Sequence, residues 1–258
     1  MQNSKPILYV STISKTMLTA GALACSGAVF GATTFSDDFT GGASANWENP
    51  AAADYTSDTA AFTGVGNNGR IFLRTQDADY NGVDFTATVD LARGNAGDGS
   101  GSTFFGIGSG DQTPGGAAPW GEPASGEYIY LRIRGNAWTS EFADINSNGG
   151  GTTVYGLPHS SLAADAFLPV QLSYVAATST ATFTLDTDGN GFDGSDPAVT
   201  HSNTNLSPTA SRVFFGGNAA TGSGSSAGDN FSITVVPEPT AAVLGALATL
   251  AFFRRRRA

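Results

Sequence analysis

Between residues 33 and 236 no stretch of the chain keeps an apolar period of 3.6 residues. Short β-branched and aromatic runs recur instead, separated by Gly, Asn, Asp and Pro, which is the pattern of strands and turns. The runs are 70–75, 83–91, 103–107, 127–134, 168–176, 181–186, 212–215 and 230–236. Within 85–91, Phe85, Ala87, Val89 and Leu91 share one face. Along 128–134, Ile129, Leu131 and Ile133 face one way, while Tyr128, Tyr130, Arg132 and Arg134 face the other. About ten such strands in one all-β domain imply two antiparallel sheets packed as a sandwich. Asn67-Asn-Gly69, Asn81-Gly82, Asn148-Gly149 and Asp188-Gly189 supply turns. The glycine-rich stretches 94–101, 106–116 and 216–228 read as loops between strands.

Composition agrees and excludes several classes. The 34 glycines in 258 residues disfavour a helical protein, because glycine is costly in helix interiors. Aromatic residues at 10% are too many for a disordered chain. The net charge of −10 argues against a nucleic-acid binder. A single cysteine, Cys25, excludes a disulfide framework and a cysteine metal cluster. The charge is also unevenly placed. Residues 33–235 hold six basic and 21 acidic groups, a net −15, with no lysine at all. The cations sit at the ends.

The first of those ends, 1–32, has Lys5 and Lys15 before an apolar core and small residues, the pattern of a secretory signal peptide cut by signal peptidase. Cleavage after Ala28 or Gly31 removes Cys25. A lipoprotein reading of Ala22-Leu-Ala-Cys25 lacks the leucine preferred three residues before the cysteine. The other end, 236–258, carries Pro237-Glu238-Pro239, an apolar run from 240 to 253, then Arg254, Arg255, Arg256 and Arg257. Fourteen helical residues reach roughly 21 Å, short of the ~30 Å hydrocarbon core. The arginines stay cytoplasmic under the positive-inside rule, leaving 33–235 outside. Both ends give the same topology.

Pro237, Glu238 and Pro239, the apolar run and the arginine cluster together resemble the PEP-CTERM sorting signal of Gram-negative bacteria. The resemblance implies a membrane-embedded exosortase as processing partner and export across the inner membrane. It places the product, first membrane-anchored, at the cell surface or outside, in association with exopolysaccharide and biofilm. The middle of the chain is similar to the concanavalin A-like lectin/glucanase (laminin G-like) jelly roll. That similarity rests on Phe35-Ser-Asp-Asp-Phe39 with Trp47, on the run around 85–89, and on the late pair 170–174 and 182–186. It implies an all-β two-sheet jelly-roll sandwich, flanked by a signal-peptide helix and a short C-terminal transmembrane helix. That fold serves sugar-binding modules and glycosidases alike.

Catalytic signals are weak. Glycoside hydrolysis needs two flanking carboxylates. The Glu-x-Asp-x-x-Glu strand motif of laminarinase-like enzymes is missing, and 33–235 keeps only Glu48, Glu122, Glu127 and Glu141. Glu141 and Asp144 fall on opposite faces of a strand. Gly224-Ser-Ser-Ala-Gly228 matches a nucleophile elbow in letters but reads as a Gly/Ser loop, with His159 and His201 the only histidines. Gly64-Val-Gly-Asn-Asn-Gly69 precedes a strand, whereas a phosphate loop precedes a helix. No catalytic residue is assigned.

Two binding features stand out. Asp186, Asp188, Asn190, Asp193 and Asp196 place oxygens at close intervals with Gly191 at the turn, as a hard Ca2+ ion requires. The first six residues resemble EF-hand and thrombospondin-type calcium loops. Pro197 stands where an EF-hand has Glu, so a plain polar hairpin loop between 181–186 and 198–201 is the competing reading. Trp120, Trp138, Tyr128 and Tyr130 are candidate sugar platforms, the tyrosines being alternatively the covered second side of a sandwich strand. The expectation is an exported, non-enzymatic cell-surface or matrix protein. A carbohydrate-binding module and a hydrolase with an unrecognised carboxylate pair are the rivals.

Overall fold

Period-two alternation places one apolar row per strand, so two sheets must meet face to face to cover those rows. The computed structural model describes residues 32–62, 70–92, 102–108, 127–134, 142–147, 156–158, 166–206, 211–218 and 226–236. Thirteen strands fall there: β1 (Phe35–Asp37), β2 (Ala60–Phe62), β3 (Arg70–Arg74), β4 (Asp84–Ala92), β5 (Ser102–Gly108), β6 (Tyr128–Arg134), β7 (Phe142–Ser147), β8 (Gly156–Pro158), β9 (Phe167–Val175), β10 (Thr180–Leu185), β11 (Ala198–Ser202), β12 (Arg212–Asn218) and β13 (Ser226–Val236). Only single-turn 3-10 helices accompany them. Among the described residues no helix is long and apolar enough to cross a membrane. The signal peptide, the Pro237–Glu238–Pro239 motif, the apolar run and Arg254–Arg257 lie outside the described residues.

Seven strands form one antiparallel sheet in the order β1-β13-β4-β9-β10-β11, with β2 also paired to β13. Six form the other in the order β3-β12-β5-β6-β7-β8. The chain crosses between sheets repeatedly, which gives the expected jelly-roll sandwich. Phe85, Val89, Leu172, Phe183 and Ile233 project inward from the larger sheet to meet Leu73, Phe105, Ile129, Leu131 and Phe215 from the smaller. Burying such a side chain stabilises the fold by about 1.5–3 kcal/mol relative to leaving it exposed.

The Phe35–Phe39 segment and Trp47 close one side of this core. Trp47 is 2% exposed and packs edge-on to Phe35, Phe215 and Phe231. Its indole N–H donates to Asp37 Oδ2 at 2.7 Å, an oxygen that also accepts the Ser44 amide at 2.8 Å. Asp37 Oδ1 accepts the Phe39 amide at 2.9 Å. These residues are therefore a structural clamp.

Two expectations change. The glycine-rich stretches 106–116 and 216–228 are partly strand: Gly106 and Gly108 lie in β5, Gly216 and Gly217 in β12, and Ser226–Gly228 opens β13. The cause is close packing. A Cβ on Gly106 would sit 2.6 Å from Tyr130 Cβ, and one on Gly228 would sit 2.6 Å from Phe215 Cδ2. Glycine here admits a large neighbour. Consequently Ser226 is a buried strand residue, and 226–228 belong to β13, not to a Gly/Ser loop.

The two sheets differ on their outer faces. On the six-stranded sheet Phe72, Phe104, Tyr128, Tyr130 and Phe214 form a second aromatic cluster, each at most 2% exposed. On the seven-stranded sheet hydroxyls replace rings. Register aligns Thr234, Thr86, Ser173, Thr182 and Thr200 in one row across β13, β4, β9, β10 and β11. A neighbouring row runs Ser36, Ser232, Thr88, Gln171, Thr184 and Ala198. All of these are exposed or partly exposed.

Candidate functional site

The loop from Asp186 to Asp196 joins β10 to β11 and is pinned at its base. Leu185 N–H donates to Pro197 O at 3.0 Å, and Asp186 N–H donates to Pro169 O at 3.1 Å. Asp186 then caps the turn, its two oxygens accepting the Gly189 amide at 2.7 Å and the Gly191 amide at 3.0 Å. Gly189 and Gly191 have φ of +75° and +96°, a left-handed conformation that side chains resist. Asp196 Oδ2 accepts the Asp193 amide at 2.9 Å and so folds the loop's end back.

This folding brings Asp186, Asp188 and Asp196 together, with one carboxylate oxygen of each within 4.8 Å of the others. Asp186 is 6% and Asp196 9% exposed, while Asp188 is open to solvent. Among the described residues no basic side chain forms an ion pair with any of the three. Each carboxylate oxygen has two lone pairs, so the amide bonds leave acceptor capacity for a cation. Two nearly buried carboxylates and an exposed third, gathered within reach of one ion, favour one. The donor set is hard oxygen throughout and fits Ca2+.

Of the other two loop residues, Asn190 stands beside the trio, its Nδ2 donating to Asp188 Oδ2 at 2.9 Å. Asp193 is turned to Ser195, whose hydroxyl at 2.6 Å and amide at 2.7 Å hold the exposed Asp193 carboxyl below its ordinary range. It does not join the trio.

The tyrosine platforms require correction. Tyr128 and Tyr130 are 0% exposed, packed with Phe104 and Phe214 in the outer aromatic cluster. No sugar can stack on rings so placed. Trp120, Trp138, His159, Glu122 and Glu141 lie outside the described residues. Glu48 is held by Arg74 at 2.9 Å and Arg212 at 3.4 Å, as a structural ion pair. His201 sits on β11, where burial lowers its pKa, and is no part of the carboxylate trio.

Sequence reasoning missed an exposed aromatic among the described residues. Phe167 is 42% exposed at the start of β9, two residues before the Pro169 carbonyl that binds Asp186. The strand was expected to start at residue 168, which left Phe167 in a loop. Period two puts it on the hydroxyl-bearing face. Across β4, Pro169 pairs with Asp90, whose Oδ2 accepts Asn230 Nδ2 at 2.9 Å. Asn230 has φ +49° where the β13 register breaks between Asp229 and Ser232. Burial, with Asp90, Asp38 and Asp58 nearby, raises the Asp229 pKa. The bulge opens a cleft of about 390 Å3 lined by Ser36, Asp37, Asp38, Asn230, Phe231 and Ser232. One end of the larger sheet thus gathers a carboxylate trio, an exposed ring and an Asp–Asn pair.

No protein-family model matches the chain, and no curated protein does. Solved structures do. Lectin II from Ulex europaeus is 16% identical with a TM-score of 0.57, over 79% of this chain and 98% of that one. The Lotus tetragonolobus seed lectin is 11% identical with a TM-score of 0.58, over 80% and 100%. The VIP36 exoplasmic/lumenal domain, solved in a Ca2+/Man3GlcNAc-bound form, is 12% identical with a TM-score of 0.54, over 72% and 82%. The fold of this chain is the concanavalin A-like sandwich of these lectins.

Proposed function

We propose that the protein is an exported, non-enzymatic carbohydrate-binding module whose glycan site lies at the Phe167 end of the seven-stranded sheet. The observation that carries this reading is the exposed Phe167, two residues along β9 from the Pro169 carbonyl to which the loop of Asp186, Asp188 and Asp196 is pinned. A sugar presents an apolar C–H face to stack on such a ring and hydroxyls for flanking polar groups. The Asp90 carboxylate and the Asn230 amide oxygen supply acceptors near that end, the Asn230 amide nitrogen being held by Asp90 and Asp229. Ca2+ held by the trio would rigidify the 186–196 loop and neutralise its charge. The fold shared with lectins supports the reading, as does the lack of an assignable carboxylate pair in the sequence.

Export and sorting complete the proposal. The signal peptide directs 33–235 outward, and the Pro237–Glu238–Pro239 segment with Arg254–Arg257 addresses the chain to an exosortase-type enzyme. The ligand is then a surface or matrix exopolysaccharide. A glycan array probed with the purified protein, with Ca2+ and with chelator, tests the function. Saturable binding that Phe167→Ala removes is expected; an array without signal overturns it. Mass spectrometry of the protein from its producing cells tests the address, an intact Arg254–Arg257 tail counting against it.

A further inference from the structure

The face beyond Phe167 is unusual in its chemistry. Two rows of Ser, Thr and Gln, the second ending on Ala198, cross the larger sheet without a basic side chain among them, and acidic Asp84 and Asp90 flank them on β4. The hydroxyls are already ordered in cross-strand pairs. Thr88 meets Ser232 at 3.0 Å, Thr182 meets Thr200 at 2.8 Å, and Thr180 meets Ser202 at 2.7 Å. Each hydroxyl carries one donor and two acceptor lone pairs, so the Thr88–Ser232 and Thr182–Thr200 pairs each retain a donor and acceptors for a ligand. Thr180 also donates to Thr178 O at 3.1 Å, so its pair with Ser202 offers acceptors only. Threonine χ1 is restricted, so little side-chain freedom is lost on binding.

We propose that these rows form a docking strip for an uncharged, extended polysaccharide lying across the strands, continuous with the Phe167 end; this rests on the carbohydrate-binding reading above. Strands stand about 4.8 Å apart, so a row across five strands offers a hydroxyl group at each step over roughly 19 Å, the length of a short oligosaccharide. Charge selects the class. A domain of net −15 with no cation in the strip repels uronate or sulfated polymers and accepts neutral ones. A protein partner is disfavoured because the rows lack the aromatic, Met and Arg residues that make interface cores.

The test is calorimetric titration of the full-length protein with neutral gluco- and galacto-oligosaccharides of increasing length, and with a polyuronate of matched length. Thr182→Val/Thr200→Val and Phe167→Ala are run in parallel, with thermal melts to confirm folding. Affinity is expected to rise with the length of a neutral chain, and the polyuronate to bind at least tenfold more weakly. The double valine variant should lose about tenfold for long chains only, as expected from two forfeited hydrogen bonds. Phe167→Ala should weaken short and long ligands alike. Length-independent binding that still needs Phe167 overturns the strip and leaves the end site standing. Equal binding of polyuronate, or an unchanged double variant, also overturns the strip. A folded protein that binds no carbohydrate of any length overturns both.

Discussion

The outer faces of the two sheets obey the same alternation and carry opposite chemistry. On the six-stranded sheet the outward rows hold Phe72, Phe104, Tyr128, Tyr130 and Phe214, none more than 2% exposed. On the seven-stranded sheet they hold Thr86, Thr88, Ser173, Thr182 and Thr200, all at least partly exposed. The first face is a second core, and substituting it is a matter of stability. The second keeps its hydrogen-bonding groups in water, and substituting it is a matter of recognition. The proposed binding is therefore assigned to the larger sheet, and on that assignment stability separates from function by face.

That separation can be broken in order of effect. Phe214→Ala, or Phe104→Ala, should cost about 3–5 kcal/mol through cavity formation, whereas Thr182→Val should stay within about 0.5 kcal/mol. Urea unfolding of each variant decides this, and equal costs on the two faces would erase the distinction. Asp37→Ala should follow at about 1–3 kcal/mol, because the buried Trp47 indole N–H loses its acceptor.

Saturating Ca2+ should raise stability on the larger-sheet side, by about 2.7 kcal/mol at a hundredfold excess over Kd. Asp196→Asn should abolish the rise, measured as a shift in Tm. No shift in the parent protein removes calcium from the account. Phe167→Ala should leave urea unfolding within about 0.5 kcal/mol while removing glycan binding. A variant that loses stability and binding together would make Phe167 a packing residue.

The smallest effect concerns Asp229, whose pKa is raised in the folded state by burial and by Asp90, Asp38 and Asp58. A carboxyl with a raised folded pKa favours folding below its unfolded pKa, and that contribution is lost as pH rises through the folded value. Asp229→Asn should therefore stabilise the protein at neutral pH and flatten its stability profile in the acid range. Unfolding curves across that range check the sign.

Much of the larger sheet is legible in the sequence because its strands alternate cleanly, as 84–92 and 180–185 do. The three-residue strands Phe35–Asp37, Ala60–Phe62 and Gly156–Pro158 are too short for a period to register. The run 212–215 marks β12, but the end of that strand and the start of β13 are hidden by glycines, which a sequence pattern treats as breaks and packing treats as clearance for Ser226 and Phe215. The trio of Asp186, Asp188 and Asp196 was legible as spacing, although only folding separates it from Asp193. The face of the two tyrosines is legible, and of the two readings open for it, sugar platform or covered side of the sandwich, burial selects the second; alternation assigns a side chain to a face without saying what covers it. Phe167 was lost to a one-residue error in a strand boundary.

The most direct measurement is equilibrium binding of the full-length protein to a neutral polysaccharide in Ca2+, set beside Phe167→Ala with its melting temperature recorded. Saturable binding that vanishes in a variant of unchanged Tm is the predicted result. A folded parent protein that binds no neutral glycan, or a Phe167→Ala variant that binds as well as the parent, would contradict the account.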